Sequence, residues 1–334
     1  MHQPVMATPL PRPASFLMKG GMTSSHDSSR LAIGIDLGGT HIKAVLVDRD
    51  SAERITSLSR PTRDGEFVEG VPAFAHSVRE ILRELESLAG GTRLPVGLSA
   101  PGLAHPQGRY IDWMPGRMQG LEKLDWPAFL NRDTHVINDA HAALLGEVWT
   151  GSARGCQDVF MITLGTGVGG AVLSGGRLLK GFTGRGGHLG HISIDAQAPK
   201  DIFNTPGSLE SFLGNKTLHE RCGGRYENTH ALVAAAAAGD GQAGRLWLQS
   251  VRCLAVGITS LINVLDPELV ILGGGIASGA GDELMRPLQA FMDELEWRPG
   301  GHRVRLALAS AGEWAGAFGG VAMLNQLHAP VPAV

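Results

Sequence analysis

Three times along this chain an apolar run of strand length stops at a cluster of glycines. Leu31–Ile35 leads through Asp36 and Leu37 into Gly38-Gly39-Thr40, and Ala44–Val47 resumes a strand. Val159–Leu164 runs into Gly165-Thr166-Gly167-Val168-Gly169-Gly170 before Ala171–Leu173, and Leu269–Leu272 runs into Gly273-Gly274-Gly275. Two strands joined by a tight glycine turn form a hairpin, and glycine's tolerance of positive φ lets the turn's N–H groups meet an anion at close range. One such turn is an ordinary hairpin as readily as a phosphate loop. Three of them, each closing a strand and spread along the chain, predict one nucleotide held between two halves. Glycine accounts for 47 of 334 residues, roughly twice the usual ~7%, and much of the excess sits in these turns. Neither a Gly-Lys-Ser/Thr phosphate loop nor a G-x-G-x-x-G opening a helix occurs, which argues against the P-loop and dinucleotide folds.

The length suffices for two domains of ordinary size, and 43% hydrophobic with 18% charged residues describes a globular chain with ample core. A net charge of −3 offers no attraction to nucleic acid or to a membrane. The longest apolar stretch, Leu254–Leu265, is shorter than a bilayer span and reads as a buried helix. Cys156, Cys222 and Cys253 are few, scattered and odd in number, as expected in a reducing cytoplasm. The expectations are therefore a cytoplasmic protein with no nucleic-acid and no membrane partner. Residues 1–29, rich in Pro, Ser, Thr and Met without periodicity, read as a disordered tail. Ahead of the first strand that tail leaves no room for a helix-turn-helix module.

Val78, Ile81, Leu82, Leu85 and Leu88 recur at helical spacing. Pro95–Leu98 is a short strand ending in the loop Ser99-Ala100-Pro101-Gly102, and Val136-Ile137 runs through Asn138-Asp139 into a helix over Ala140–Trp149. The second half repeats the plan, with a His- and Gly-rich loop, a helix carrying Leu254, Ile258, Leu261, Ile262 and Leu265, and a last helix over Gly312–Leu327. Strands followed by helices twice over predict a duplicated α/β architecture with a cleft between two lobes.

Phosphoryl transfer to an alcohol needs a base near the hydroxyl, a metal on the polyphosphate and donors around the transferred group. Asp139, at a strand end where a helix begins, is the best base, although an Asp in that place is equally a helix cap. Asn138 can donate and accept, as hydroxyl recognition requires. Asp36, just before the first turn, stands where Mg²⁺ on polyphosphate could be held through water. His188 and His191 in the Gly184–His191 loop, and Glu210 beyond it, suit a cleft that binds a polyol; either histidine alone is as readily a solvated loop residue.

With these motifs in order, the chain resembles the ROK family of sugar kinases and sugar-responsive repressors, within the actin-like ATPase superfamily. The carriers are Asp36–Thr40, Ala100-Pro101-Gly102, Asn138-Asp139-Ala140, Leu164–Gly170, Gly190-His191, Ser208-Leu209-Glu210 and Leu272–Gly275, and the resemblance spans residues 31–327. It implies an actin-like (ribonuclease H-like) two-lobe α/β fold. The expected division is an N-terminal lobe over 30–139, completed by a C-terminal helix over 312–330, and a C-terminal lobe over 140–311. It further implies ATP- and Mg²⁺-dependent phosphorylation of a hexose such as glucose, most often at the 6-hydroxyl, by a homodimer or larger assembly. Asp139 matches the family's base; Asn138, His191 and Glu210 match sugar ligands, with His188 beside them; Asp36 matches the metal-associated acid. Gly38, Gly39, Thr40, Gly165, Thr166 and Gly167 would face the phosphates, and Gly273, Gly274 and Gly275 the adenosine.

The chain departs from the family pattern in three places. His188 replaces the usual Glu of Gly-Glu-x-Gly-His, so a donor/acceptor imidazole stands for a carboxylate. Asp201, Phe203 and Ser208 stand where the zinc-binding cysteines would be, so no structural zinc is expected. Gly116, behind Pro115, takes the place of an Asn, which weakens the claim that this loop touches the sugar as in relatives. Three other readings stay open: a kinase for another hexose or an N-acetylhexosamine, a polyphosphate-dependent kinase, and a non-catalytic sugar-sensing regulator.

Overall fold

Strand β1 (Leu31–Leu37) is buried along almost its whole length, as an apolar run covered on both faces must be. The structure, a computed structural model, describes residues 27–328. The tail expected over 1–29 lies outside them except at its end, where Ser28–Arg30 make a 3₁₀ turn capped by Asp27. Beyond β1 the glycine turn leads into β2 (His41–Asp48) and then β3 (Arg54–Pro61), all antiparallel. The ribbon of β4 (Phe67–Val68) and β5 (Val71–Pro72) precedes helix α1 (Ala73–Leu88). α1 lays Phe74, Val78, Ile81, Leu82 and Leu85 against the sheet as one apolar face. Two parallel strands, β6 (Val96–Ala100) and β9 (Thr134–Asn138), complete the order β3-β2-β1-β6-β9. Between them lie the ribbon β7 (Leu103–Ala104) and β8 (Ile111–Trp113) and the short helix α2 (Trp126–Leu130).

Helix α3 (Asp139–Thr150) leads to the second sheet, which repeats the first strand for strand. β10 (Val159–Leu164), β11 (Val168–Ser174) and β12 (Arg177–Leu178) are antiparallel neighbours, and β13 (Leu269–Gly273) and β14 (Arg305–Leu308) add in parallel, giving β12-β11-β10-β13-β14. The segment between β12 and β13 holds α4 (Leu209–Leu213), α5 (Asn215–Cys222), α6 (Thr229–Ala237) and α7 (Gly241–Leu265). α7 reaches back to Gly241, well before the expected Leu254, because the Asp240 carboxylate caps it, accepting from the N–H groups of Gln242 and Ala243. By length and composition α7 could cross a bilayer, yet its Val251, Leu254 and Ile258 are buried in the core that β10 and β13 share. α8 (Gly274–Ala280) and α9 (Asp282–Leu295) follow β13. The last helix begins later than expected: Gly312–Trp314 is a 3₁₀ turn, and α10 spans Ala315–His328.

The helix after each sheet's last strand crosses to the other sheet. α3 leaves β9 yet packs on β10 and β11, while α10 follows β14 and packs on β1 and β6. The two helices also pack on each other. Around α10 the approach is backbone on backbone. A Cβ on Gly97 would collide with the Gly320 backbone, and one on Gly34 with the Ala317 carbonyl. The duplicated two-lobe α/β arrangement is thus joined through a pair of crossed helices, and the cleft opens beside them.

Candidate active site

Two cavities share this cleft. The larger, about 930 Å³, is lined by Asn138, Asp139, Gly165, Thr166, Gly167, His188, His191 and Glu210 among others. The smaller, about 350 Å³, is lined by Asp36, Gly38, Gly39 and, again, Asp139. Pro101, Arg117, Thr163 and Gly274 also face both. Asp139 therefore stands where a group bound in one cavity meets a group bound in the other.

β9 and α3 put it there. The cap of α3 is Asn138, whose Oδ1 accepts from the N–H groups of Ala140 at 2.9 Å and His141 at 3.2 Å. Asp139 is thus the first helical residue and is free of the capping task that its position suggested. Its Oδ1 accepts from the Ala140 N–H at 2.8 Å and from the Asn138 amide at 2.9 Å. The carboxylate is accessible from the cleft but ringed by both cavity walls. This loss of solvent raises its pKa, while the Ala140 N–H, the nearby Arg117 and the Asn138 amide oppose the rise. Asn138 lines the larger cavity. Its amide donates to the Gly102 carbonyl and to Asp139, and its oxygen already accepts twice. The amide contact orients Asp139.

In the smaller cavity, burial pushes the Asp36 carboxyl up to about 6; the Ser99 hydroxyl donating at 2.9 Å opposes this, Asp139 adds to it, and Lys43 offsets it. The Gly38–Thr40 turn is closed by the Gly38 N–H donating to His41 O at 3.1 Å. Contrary to expectation, neither Gly38 nor Gly39 uses positive φ. What glycine provides at 39 is open space, since an added Cβ would meet nothing within 4 Å. Thr40 lies outside both cavity linings, its carbonyl accepting from the Thr62 N–H, and so do Gly273 and Gly275. Among the described residues no three His, Cys, Asp or Glu side chains gather as a metal cage. A pair of oxygen donors, Asp36 and Asp139, on one small cavity suits instead a hard cation that keeps its waters and phosphate oxygens, as Mg²⁺ does.

In the larger cavity, Glu210 accepts from the Val168 N–H through Oε2 at 2.9 Å, and its Oε1 has no partner among the described residues. Gly167 makes this possible, because a Cβ there would strike the Glu210 carboxylate. His191 Nδ1 lies 3.2 Å from Asp201 Oδ2. A carboxylate only accepts, so Nδ1 carries a proton, and in the neutral imidazole Nε2 is left as an acceptor. Asp201 is itself fixed by the N–H groups of Phe203 and Thr205; burial alone would raise its pKa, but the Thr205 and Phe203 N–H groups and the Ser208 and His191 side chains bring it below the ordinary value. The Phe203 ring stands edge-on to His191, with centroids 4.6 Å apart. Residues in the cysteine places thus hold His191 by a hydrogen bond and a ring contact. The His188 ring meets that of His141 edge-on, and burial, with His191 adding, lowers its pKa.

Two participants were not foreseen. Arg117, which follows Pro115 and Gly116, lines both cavities, and Pro115 lines the larger one. Trp113, on β8, reaches across to Phe203 with ring centroids 5.1 Å apart. A Pro-Gly pair signals only a turn, and nothing local shows that the turn overhangs a cleft.

The ROK family model matches residues 32–327. A glucokinase of Thermotoga maritima is 33% identical over 278 residues, covering 77% of this chain and 85% of that one. An N-acetylmannosamine kinase of Citrobacter koseri is 30% identical over 302 residues, covering 88% and 98%. The crystal structure of the ROK hexokinase from Thermus thermophilus matches with a TM-score of 0.78 at 31% identity, covering 90% of this chain and 100% of that one. With its two like sheets, crossed helices and shared cleft, the fold is the actin-like ATPase fold, and the chain belongs to the ROK family.

Proposed function

We propose that this protein is an ATP-dependent sugar kinase that transfers the γ-phosphate to a hexose hydroxyl, the 6-hydroxyl being the first candidate, with Asp139 as general base. The reading rests most on one observation: Asp139 lines both the cavity of His188, His191 and Glu210 and the cavity of Asp36, Gly38 and Gly39. The likeness to a named glucokinase and a named hexokinase supports the same class. In this reading the lobes are 30–139 with α10, and 140–311. The Glu210 Oε1 and the His191 Nε2 accept from sugar hydroxyls, and Asp139 takes the proton of the attacking hydroxyl. Asn138 holds Asp139 in place for that transfer. Asp36 would hold Mg²⁺ through water, and the metal would supply charge neutralisation on the polyphosphate. Closing of the lobes excludes water and limits futile hydrolysis.

A second acceptor class is favoured by His188, a neutral imidazole in a carboxylate's place, and by the named N-acetylmannosamine kinase among the relatives. One screen separates the readings: ADP release with Mg²⁺ and ATP over hexoses, amino sugars and N-acetyl sugars, repeated with polyphosphate as donor. Turnover of a neutral hexose supports the first reading, and turnover confined to N-acetylhexosamines the second. No turnover of any sugar with either donor would remove both.

A further inference from the structure

We propose that Arg117 is a catalytic residue that donates hydrogen bonds to the non-bridging oxygens of the transferring phosphoryl group. The inference rests on the kinase reading above and adds to it a group that the sequence motifs do not contain.

Its position is the first argument. Arg117 lines both cavities, alongside Asp139. Charge is the second. The smaller cavity is lined by the acidic residues Asp36, Asp64, Asp139 and Glu313, and among the described residues Arg117 is the one Lys or Arg in its lining. Lys43, whose charge acts on Asp36, is paired with Glu313 at 2.9 Å. A polyphosphate entering so acidic a cavity needs a fixed cation as well as a metal. Arg117 is open to the cleft, and among the described residues its guanidinium has no ion pair, hydrogen bond or ring partner. A planar fork of N–H donors left free beside a site for phosphate has the geometry that phosphoryl oxygens take.

The backbone is the third argument. Gly116 has φ +80° and Met118, a residue with a side chain, has φ +50°. The Met118 side chain is buried in the first-lobe core, its N–H donates to Asp64 Oδ2 at 3.3 Å, and its carbonyl accepts from the Leu121 N–H at 3.0 Å. Left-handed backbone at a non-glycine residue is disfavoured and persists where its surroundings enforce it. Here the anchored Met118 turns Arg117 out of the core and over the junction of the cavities.

The step balances without a further reactant. The sugar oxygen forms a bond to the γ-phosphorus as the bond from that phosphorus to the β,γ-bridging oxygen breaks. The bridging oxygen leaves on ADP with the electron pair, and the hydroxyl proton passes to Asp139. Arg117 stays protonated throughout and stabilises charge on the oxygens that neither attack nor leave.

The test compares the parent protein with Arg117→Ala and Arg117→Lys, after matched melting curves. Calorimetry with Mg²⁺ measures AMPPNP, ADP and the accepted sugar separately. The expected result is loss of most of the preference for AMPPNP over ADP in Arg117→Ala, about tenfold or more, with sugar affinity unchanged. Turnover should fall about 10²–10³-fold, with partial recovery in added guanidinium and in Arg117→Lys. Unchanged nucleotide preference with turnover near the parent's would overturn the proposal. So would weaker sugar binding with nucleotide binding intact, which would put Arg117 on the acceptor side. A parent protein that phosphorylates no sugar counts against the kinase reading, and the AMPPNP and ADP comparison still reads Arg117 by itself.

Discussion

Asp139 and Asp36 face one small cavity, and the Asp139 charge opposes ionisation of Asp36. Asp139 must be ionised to take a proton, and its pKa is raised by burial. The rate kcat/KM should therefore fall as the pH drops, with a midpoint above the ordinary carboxylate value of 3.8, read from a pH–rate profile. Asp36 affects stability with the opposite sign. Its pKa is about 6 folded against 3.8 in the unfolded chain, so the folded state is the better proton binder between them. The stability it contributes is fully present below that window and is lost as the pH rises through about 6. Asp36→Asn should thus raise the Tm of the ligand-free protein at alkaline pH by about 2 °C, a gain that shrinks on acidification, while weakening use of Mg²⁺ and ATP. Calorimetric scans at two pH values check this. At the same scale, Gly167→Ala should displace Glu210 and raise the sugar KM about tenfold, the cost of roughly one hydrogen bond to a charged group, with kcat less affected; steady-state kinetics would show the split.

Among the elements, α3 and α10 decide how the lobes meet, and Glu147 near the end of α3 ties them. Its carboxylate is fully buried and accepts from the Ser152 N–H and hydroxyl, and from the N–H groups of Ser310 and Ala311 just before the turn into α10. Glu147→Ala leaves these donors without an acceptor and should destabilise the protein by on the order of 3 kcal/mol, measured by denaturant unfolding. The hairpin elements were legible from sequence because strand, glycine turn and strand are local signals, and both sheets begin with one. The helix starts were less so. α7 extends to Gly241 because a single Asp caps it, and its upstream turns carry polar residues that mask the apolar face. Asn138 and Asp139 could both cap α3 by composition, and only the backbone geometry separates the cap from the residue it orients.

For the whole molecule, the doubled α/β plan and the cleft were readable from the recurrence of one pattern in two halves, and the strand order within each sheet was not. Nor was the far side of the cleft. Arg117, Trp113 and Phe203 meet the site through tertiary approach of a ribbon and a loop from opposite halves, and no periodicity carries that information. The Trp113–Phe203 contact at 5.1 Å spans the cleft between β8 and the loop that holds His191. Closing the lobes on sugar should alter the surroundings of Trp113, so sugar binding is expected to change the tryptophan fluorescence, and Trp113→Phe to remove most of that change. Sugar-phosphate formation by Asp139→Asn, paired with calorimetric sugar binding, decides whether Asp139 is the base. Turnover should fall about 10²–10⁴-fold with sugar affinity retained, and turnover at the parent rate would rule Asp139 out as the base.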